Sequence, residues 1–124
     1  MKKYNKAIGA YGETIARDFL TTNGYKILDM NYRNRCGEID IICKNNNNII
    51  IFCEIKSRYT DTFGSPIESI TSYKQKQIIK LSEIYLLYKK YQNYNVRYDV
   101  IEIIFNNKNA SFKLNHLKDA FRSY

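Results

Sequence analysis

The chain predicts an α/β fold in which helices pack on one sheet of mixed strand direction. Three observations carry that prediction. Apolar residues recur at helical spacing near the start and again past the middle, strand-like runs stand between and after them, and no repeat or linker divides the chain. With 124 residues there is room for one domain, 1–124, with a single core. A hydrophobic fraction of 44% fits a globular chain and excludes a disordered one.

Residues 5–22 read as a helix. Ile8, Tyr11, Ile15 and Phe19, with Ala16 and Leu20 beside them, share a face, and Gly24 supplies the stop. Gly9 and Gly12 lower helix propensity, so the helix either starts after Gly9 or packs closely on another element there. Residues 25–32 read as a strand with Leu28, Met30 and Tyr32 on one face. A basic turn, Arg33-Asn34-Arg35-Cys36-Gly37, leads into two further strands, 37–43 and 49–56, around Asn45-Asn46-Asn47-Asn48. Residues 57–66, rich in Ser, Thr, Gly and Pro, read as a loop and a candidate flap. A second helix spans 72 to about 91, with Ile78, Leu81, Tyr85 and Tyr88 inward and Lys76, Lys80, Glu83 and Lys90 outward. A fourth strand covers 96–104, a short fifth 110–114, and 117–121 closes the chain as a helical turn. The order is α-β-β-β-α-β-β.

The two strands around the asparagines hold the most informative residues. Paired as an antiparallel hairpin with loop 46–48, they set Asp40 opposite Glu54, Ile42 opposite Phe52 and Glu38 opposite Lys56 on one face. Ile39–Ile55, Ile41–Cys53 and Cys43–Ile51 fall on the other. A slip of one residue spoils both faces. Opposed side chains have Cβ atoms roughly 4.5–5.5 Å apart, so two carboxylates there repel unless a cation stands between them. Mg²⁺ or Mn²⁺ suits such a clamp, because hard cations take one or two carboxylates with water and phosphate oxygens. Lys56 shares the Glu54 face and reaches the same spot, the Ile55 carbonyl is a candidate further ligand, and Glu13 adds a carboxylate if the first helix crosses this edge. An ordinary surface Glu–Lys pair is worth only about 0–1 kcal/mol. Five apolar residues (49–53) precede Glu54, however, which puts it on a central strand.

Net charge is +8 and the isoelectric point about 9.4, pointing to a polyanionic partner, nucleic acid before membrane. Arg33, Arg35 and Arg58 surround the acid pair as candidate phosphate holders, with Lys74, Lys76 and Lys80 extending that surface. Most of the twelve tyrosines read as packing rather than base-stacking. Asp99, after Arg97-Tyr98, reads as an arginine's structural partner, and the lone His116 as a surface or helix-start residue. Cys36, Cys43 and Cys53 have no metal-type spacing. With reduced thiols and no apolar leader in 1–7, a cytoplasmic location is expected, with no membrane segment.

The motifs Gly9-Ala10-Tyr11-Gly12-Glu13, Asn31-Tyr32-Arg33 with Gly37-Glu38-Ile39-Asp40, and Phe52-Cys53-Glu54-Ile55-Lys56-Ser57-Arg58 resemble the YraN family of small endonuclease-like proteins. The likeness continues through Phe63-Gly64-Ser65-Pro66, Lys74-Gln75, Arg97-Tyr98-Asp99-Val100 and Ala120-Phe121, nearly the full length. That family is similar to archaeal Holliday-junction resolvases and to the PD-(D/E)xK nuclease fold. The resemblance implies a restriction-endonuclease-like three-layer sandwich with a five-stranded sheet. It also implies Glu13, Asp40, Glu54 and Lys56 as the metal and catalytic set, with Gln75 toward the phosphate. Ile39 stands where the superfamily signature has proline. The expected activity is metal-dependent endonucleolytic hydrolysis of DNA, branched or otherwise structured. The rivals are a DNA-binding module without turnover and a homodimeric interaction protein; a two-fold pair of sites also suits a two-stranded substrate.

Overall fold

Seven elements follow the expected order in a computed structural model that describes residues 2–60, 70–106, 108–109 and 111–123. They are α1 (Lys2–Thr22), β1 (Lys26–Asn34), β2 (Gly37–Lys44), β3 (Ile49–Tyr59), α2 (Ser72–Lys89), β4 (Asn95–Phe105) and β5 (Phe112–Phe121). The strands form one sheet in the order β1-β2-β3-β4-β5. Only β3 and β4 run parallel, since they are the pair joined by a helical crossover. β3, with its apolar run, is therefore the middle strand.

The sheet is covered on both faces. Ala16 and Leu20 of α1 pack on Ile41, Cys43, Ile51, Cys53, Ile55, Ile101 and Ile103. On the other face Ile78, Leu81 and Tyr85 of α2 pack on Ile39, Ile42, Ile50, Phe52 and Tyr98. Strand alternation produces this division, because neighbours such as Ile51 and Phe52 point to opposite layers. α1 ends at Gly24, whose φ of 88° closes the helix with the Tyr25 N–H on the Leu20 carbonyl at 3.0 Å. At α2 the Thr71 hydroxyl accepts the Lys74 N–H at 3.1 Å, and Lys90 closes the far end in the left-handed region. Among the described residues no helix is long and apolar enough to cross a membrane.

Five expectations are corrected. Leu28 and Tyr32 pack on the α2 side but Met30 on the α1 side. A bulge between Ile27 and Asp29 and the left-handed Asn31 (φ 54°) reset the alternation of β1. Ile39 likewise leaves the Ile41 face for the α2 layer, because β2 bends opposite Asn31. Tyr88 is exposed rather than inward, and Ser82 is buried in the stripe instead, its hydroxyl 2.6 Å from that of Tyr98. Residues 57–59 continue β3 rather than starting the loop; of the remaining loop, Phe63 to Pro66 lie outside the described residues. Finally, 117–121 is strand, not helical turn: the edge of β4 needs a hydrogen-bonding partner, and β5 supplies it along its length.

That last change also relocates His116. It sits on β5 with its side chain only 7% exposed, between the rings of Phe19 and Tyr25, and its Nε2 is 2.7 Å from Asp99 Oδ2. It is a core residue. Asp99 is an arginine's partner as expected, taking two hydrogen bonds from Arg97 at 2.8 Å each.

Candidate active site

The hairpin register holds at its turn end and breaks where the acids are. Lys44↔Ile50, Cys43↔Ile51, Ile42↔Phe52 and Ile41↔Cys53 are paired. The loop closes on Asn45, whose side-chain oxygen accepts the N–H groups of Asn47 and Ile49, with Asn48 left-handed at φ 60°. Beyond Ile41 the ladder stops, and the expected pairs Asp40–Glu54, Ile39–Ile55 and Glu38–Lys56 do not form. The Asp40 carboxylate takes the place of a backbone carbonyl, its Oδ2 accepting the Ile55 N–H at 2.8 Å. One side chain thus fills the gap where β2 parts from β3.

Glu54 stands beside that gap and is 7% exposed. Its Oε2 is buried with no hydrogen-bond partner. Burial pushes its carboxyl up to about 8, helped by the charge of Asp40 and a hydrogen bond with Asp40 that favours the protonated form. Lys74 and Lys56 act in the opposite direction, so both ammonium groups lie within electrostatic reach. Glu13 approaches from α1. It follows Gly12, where an added Cβ would lie 2.0 Å from the Ser57 Oγ, so the absence of a side chain lets α1 rest directly on β3. Glu13 is shifted upward by burial and then by the charge of Asp40, opposed by a hydrogen bond with the Asn31 side chain.

The fold therefore brings Glu13, Asp40, Glu54, Lys56 and Lys74 to one end of the sheet. It does not gather three acids into a ligating set: no group of three or more His, Cys, Asp or Glu side chains in metal-binding arrangement occurs among the described residues. The fit to a divalent cation rests on the Asp40–Glu54 pair and its orphaned oxygen, a donor set that hard cations complete with water or phosphate oxygens.

The other candidates are more dispersed. Arg33 pairs with Glu38 at 2.9 Å on the bent end of β1 and β2. Arg35 is exposed and, with Arg33, Cys36, Glu38 and Gln77, lines a depression of about 310 Å³. Gln75 spends its amide on the Ile70 carbonyl at 3.1 Å. Arg58 is bonded through Nε to Glu102 at 2.8 Å. The reading of single residues overlooked two groups, Asn31 and Glu102. Asn31 had a signal only as a residue that tolerates the left-handed region. Glu102 interrupts the apolar run of β4, and a charge at such a place points to a buried partner.

A model of the uncharacterised protein family UPF0102 matches residues 12–103. A UPF0102 protein of Clostridium botulinum (strain Alaska E43 / Type E3) is 53% identical over 99% of this chain and 100% of its own length. The UPF0102 proteins of Clostridium beijerinckii and Clostridium tetani are 51% and 50% identical, each over 98% of this chain, and over 98% and 99% of their own lengths.

Proposed function

This chain belongs to the uncharacterised protein family UPF0102, the YraN family that its motifs resemble, and we propose that it is a metal-dependent endonuclease hydrolysing phosphodiester bonds in DNA, branched or structured DNA above all. The observation that carries the reading is the buried Glu54 carboxyl, pushed up to about 8 beside Asp40, with one oxygen unsatisfied. Such a pair is unstable as two bare anions, and a divalent cation relieves it more fully than one shared proton. Asp40 and Glu54 are the residues that would hold Mg²⁺ or Mn²⁺. When bound, the cation supplies positive charge against the anionic phosphate oxygens.

The remaining roles belong to the chain's own groups. The Ile55 N–H fixes one oxygen of Asp40, so the carboxylate is held at a defined place beside Glu54. Lys56 donates hydrogen bonds to the attacking water and offsets charge developing on the phosphate. Glu13 keeps the edge facing Asp40 acidic, and Lys74 adds a second ammonium from the start of α2. The net charge of +8 draws a polyanion toward this end of the sheet.

The test is cleavage of junction, flap and linear DNA, with RNA counterparts, by the purified protein in Mg²⁺ or Mn²⁺. Activity on DNA should vanish in Asp40→Ala and in Glu54→Ala. Cleavage that survives both substitutions removes this site as its source. DNA binding that persists in chelator, with no substrate cut, assigns the protein to the non-cleaving binding modules instead.

A further inference from the structure

We propose that the groove between α2 and the end of β5 holds a single-stranded stretch of DNA beside the acid site. This deepens the nuclease reading above, on which the choice of DNA rests, by adding a substrate feature: an unpaired arm. The groove measures about 610 Å³. That is the scale of a small-ligand site, which suits a few nucleotides of one strand and not a duplex. Ser72, Lys76, Ile79, Lys80 and Glu83 share the helical stripe of α2 that forms one wall, and Phe121 stands on the other. The groove starts at the acid end of the sheet, because α2 begins there and its Lys74 lies within electrostatic reach of Glu54.

The two walls carry the features that single-strand sites combine, cations for the backbone and a ring for the bases. Lys76 and Lys80 are exposed, lie one helical turn apart, and have no ion-pair partner among the described residues. Arg122 at the rim is already held by Asp119, so the cations on offer are the two lysines. Glu83 ends the positive run at the far side. Phe121 is the outer member of a row of rings. Phe52, Tyr98 and Phe121 are register partners on β3, β4 and β5. They stack in turn, with centroids 5.7 Å and 5.3 Å apart and planes inclined by 26° and 17°. The middle ring is fixed through its hydroxyl, 2.6 Å from that of the buried Ser82. Phe52 and Tyr98 are buried, whereas Phe121 is half-buried on the edge strand. Among the described residues no strand stands beyond it, so the next place in the stack belongs to the groove, where a base fits as the fourth ring.

The test is fluorescence anisotropy of labelled oligo(dT), and of a blunt duplex, titrated with the full chain in chelator so that hydrolysis is off. Lys76→Ala and Lys80→Ala should each weaken oligo(dT) binding and lower its salt slope by about 0.7. Phe121→Leu keeps the apolar contact but removes the ring. It should weaken oligo(dT) binding about tenfold with the salt slope unchanged, and Phe121→Trp should restore it. Blunt-duplex binding should change less than about twofold in these variants, because its phosphate contacts lie elsewhere. In Mn²⁺ the wild-type protein should prefer a flap with an unpaired arm over the blunt duplex, and Lys76→Ala with Lys80→Ala should abolish that preference. Wild-type oligo(dT) affinity and salt slope in this double variant overturn the proposal whether or not Phe121→Leu folds, and so do equal losses on the blunt duplex or a wild-type protein that ignores oligo(dT). Flap cleavage alongside any of those results leaves the nuclease reading intact. Oligo(dT) held through these residues by a protein that cuts no DNA in Mn²⁺ removes the nuclease reading and leaves the groove.

Discussion

Of the three carboxylates buried in this sheet among the described residues, Asp99 and Glu54 are treated in opposite ways. Asp99, fully buried on β4, has every capacity met: two hydrogen bonds from Arg97, one shared with His116, and one from the Asp119 N–H at 2.9 Å. Burial pushes its carboxyl up, but His116, Arg97 and that N–H outweigh it and hold it below the ordinary aspartate range. Glu54, one strand away, keeps an unpartnered oxygen and faces a second acid. A satisfied buried charge clasps strands together. A frustrated one waits for a ligand, which is why strongly perturbed acids in this state mark candidate sites.

The comparison is broken most forcefully at the frustrated end. Asp40→Ala or Glu54→Ala should lower DNA cleavage by about 10³-fold or more, read as kcat at saturating Mn²⁺. At the satisfied end Asp99→Asn should do the reverse, sparing the acid pair but destabilising the fold by roughly 3 kcal/mol in urea denaturation, since Arg97 and His116 lose their counter-charge.

The pH dependences should carry opposite signs. Folded Glu54 holds a proton that the unfolded chain releases near the usual 4.5, so raising pH drains stability until about 8 is passed. Without metal the protein should be more stable at pH 5.5 than at 8.5 by roughly 3 kcal/mol from this group, and Glu54→Gln should flatten that fall. Asp99 works the other way: its contribution is present above the ordinary carboxylate range and is lost as pH drops through its depressed value. A Glu54→Gln protein with an unchanged alkaline slope in metal-free thermal melts contradicts the assignment. Since a cation competes with the Glu54 proton, Mn²⁺ at about 100 times its Kd should add about 2.7 kcal/mol at pH 8.5 and less at pH 6. Smallest of all, Arg33→Ala should change stability by about 0.5 kcal/mol or less, because its pair with Glu38 is exposed.

Much of the acid site was legible because it lies within one hairpin. The alternation of 37–43 with 49–56 gives the register seen at the turn end, and although its expected Asp40–Glu54 pair does not form, Asp40 still comes to lie beside Glu54. Glu13 needed the extra condition that α1 cross the sheet end, and Gly12 is what permits that approach. The bend at Asn31 and Asp40 was not legible, since no local pattern says where two strands part; Ile39 followed the bend to the other face. His116 was hidden for a similar reason. Its partners, Asp99, Phe19 and Tyr25, lie far off in sequence, and a lone histidine in a polar stretch looks like surface.

By itself the chain's periodicity determined the order of elements, the central place of β3 and the face that Glu54 and Lys56 share, because each depends on spacing between neighbours along one strand or helix. Tertiary structure alone decided which carboxylate is answered and which is left wanting. The difference between Asp99 and Glu54 comes from groups on other strands: His116 and the Asp119 N–H of β5 answer one, and Asp40 of β2 sets a second acid beside the other, where burial magnifies both effects.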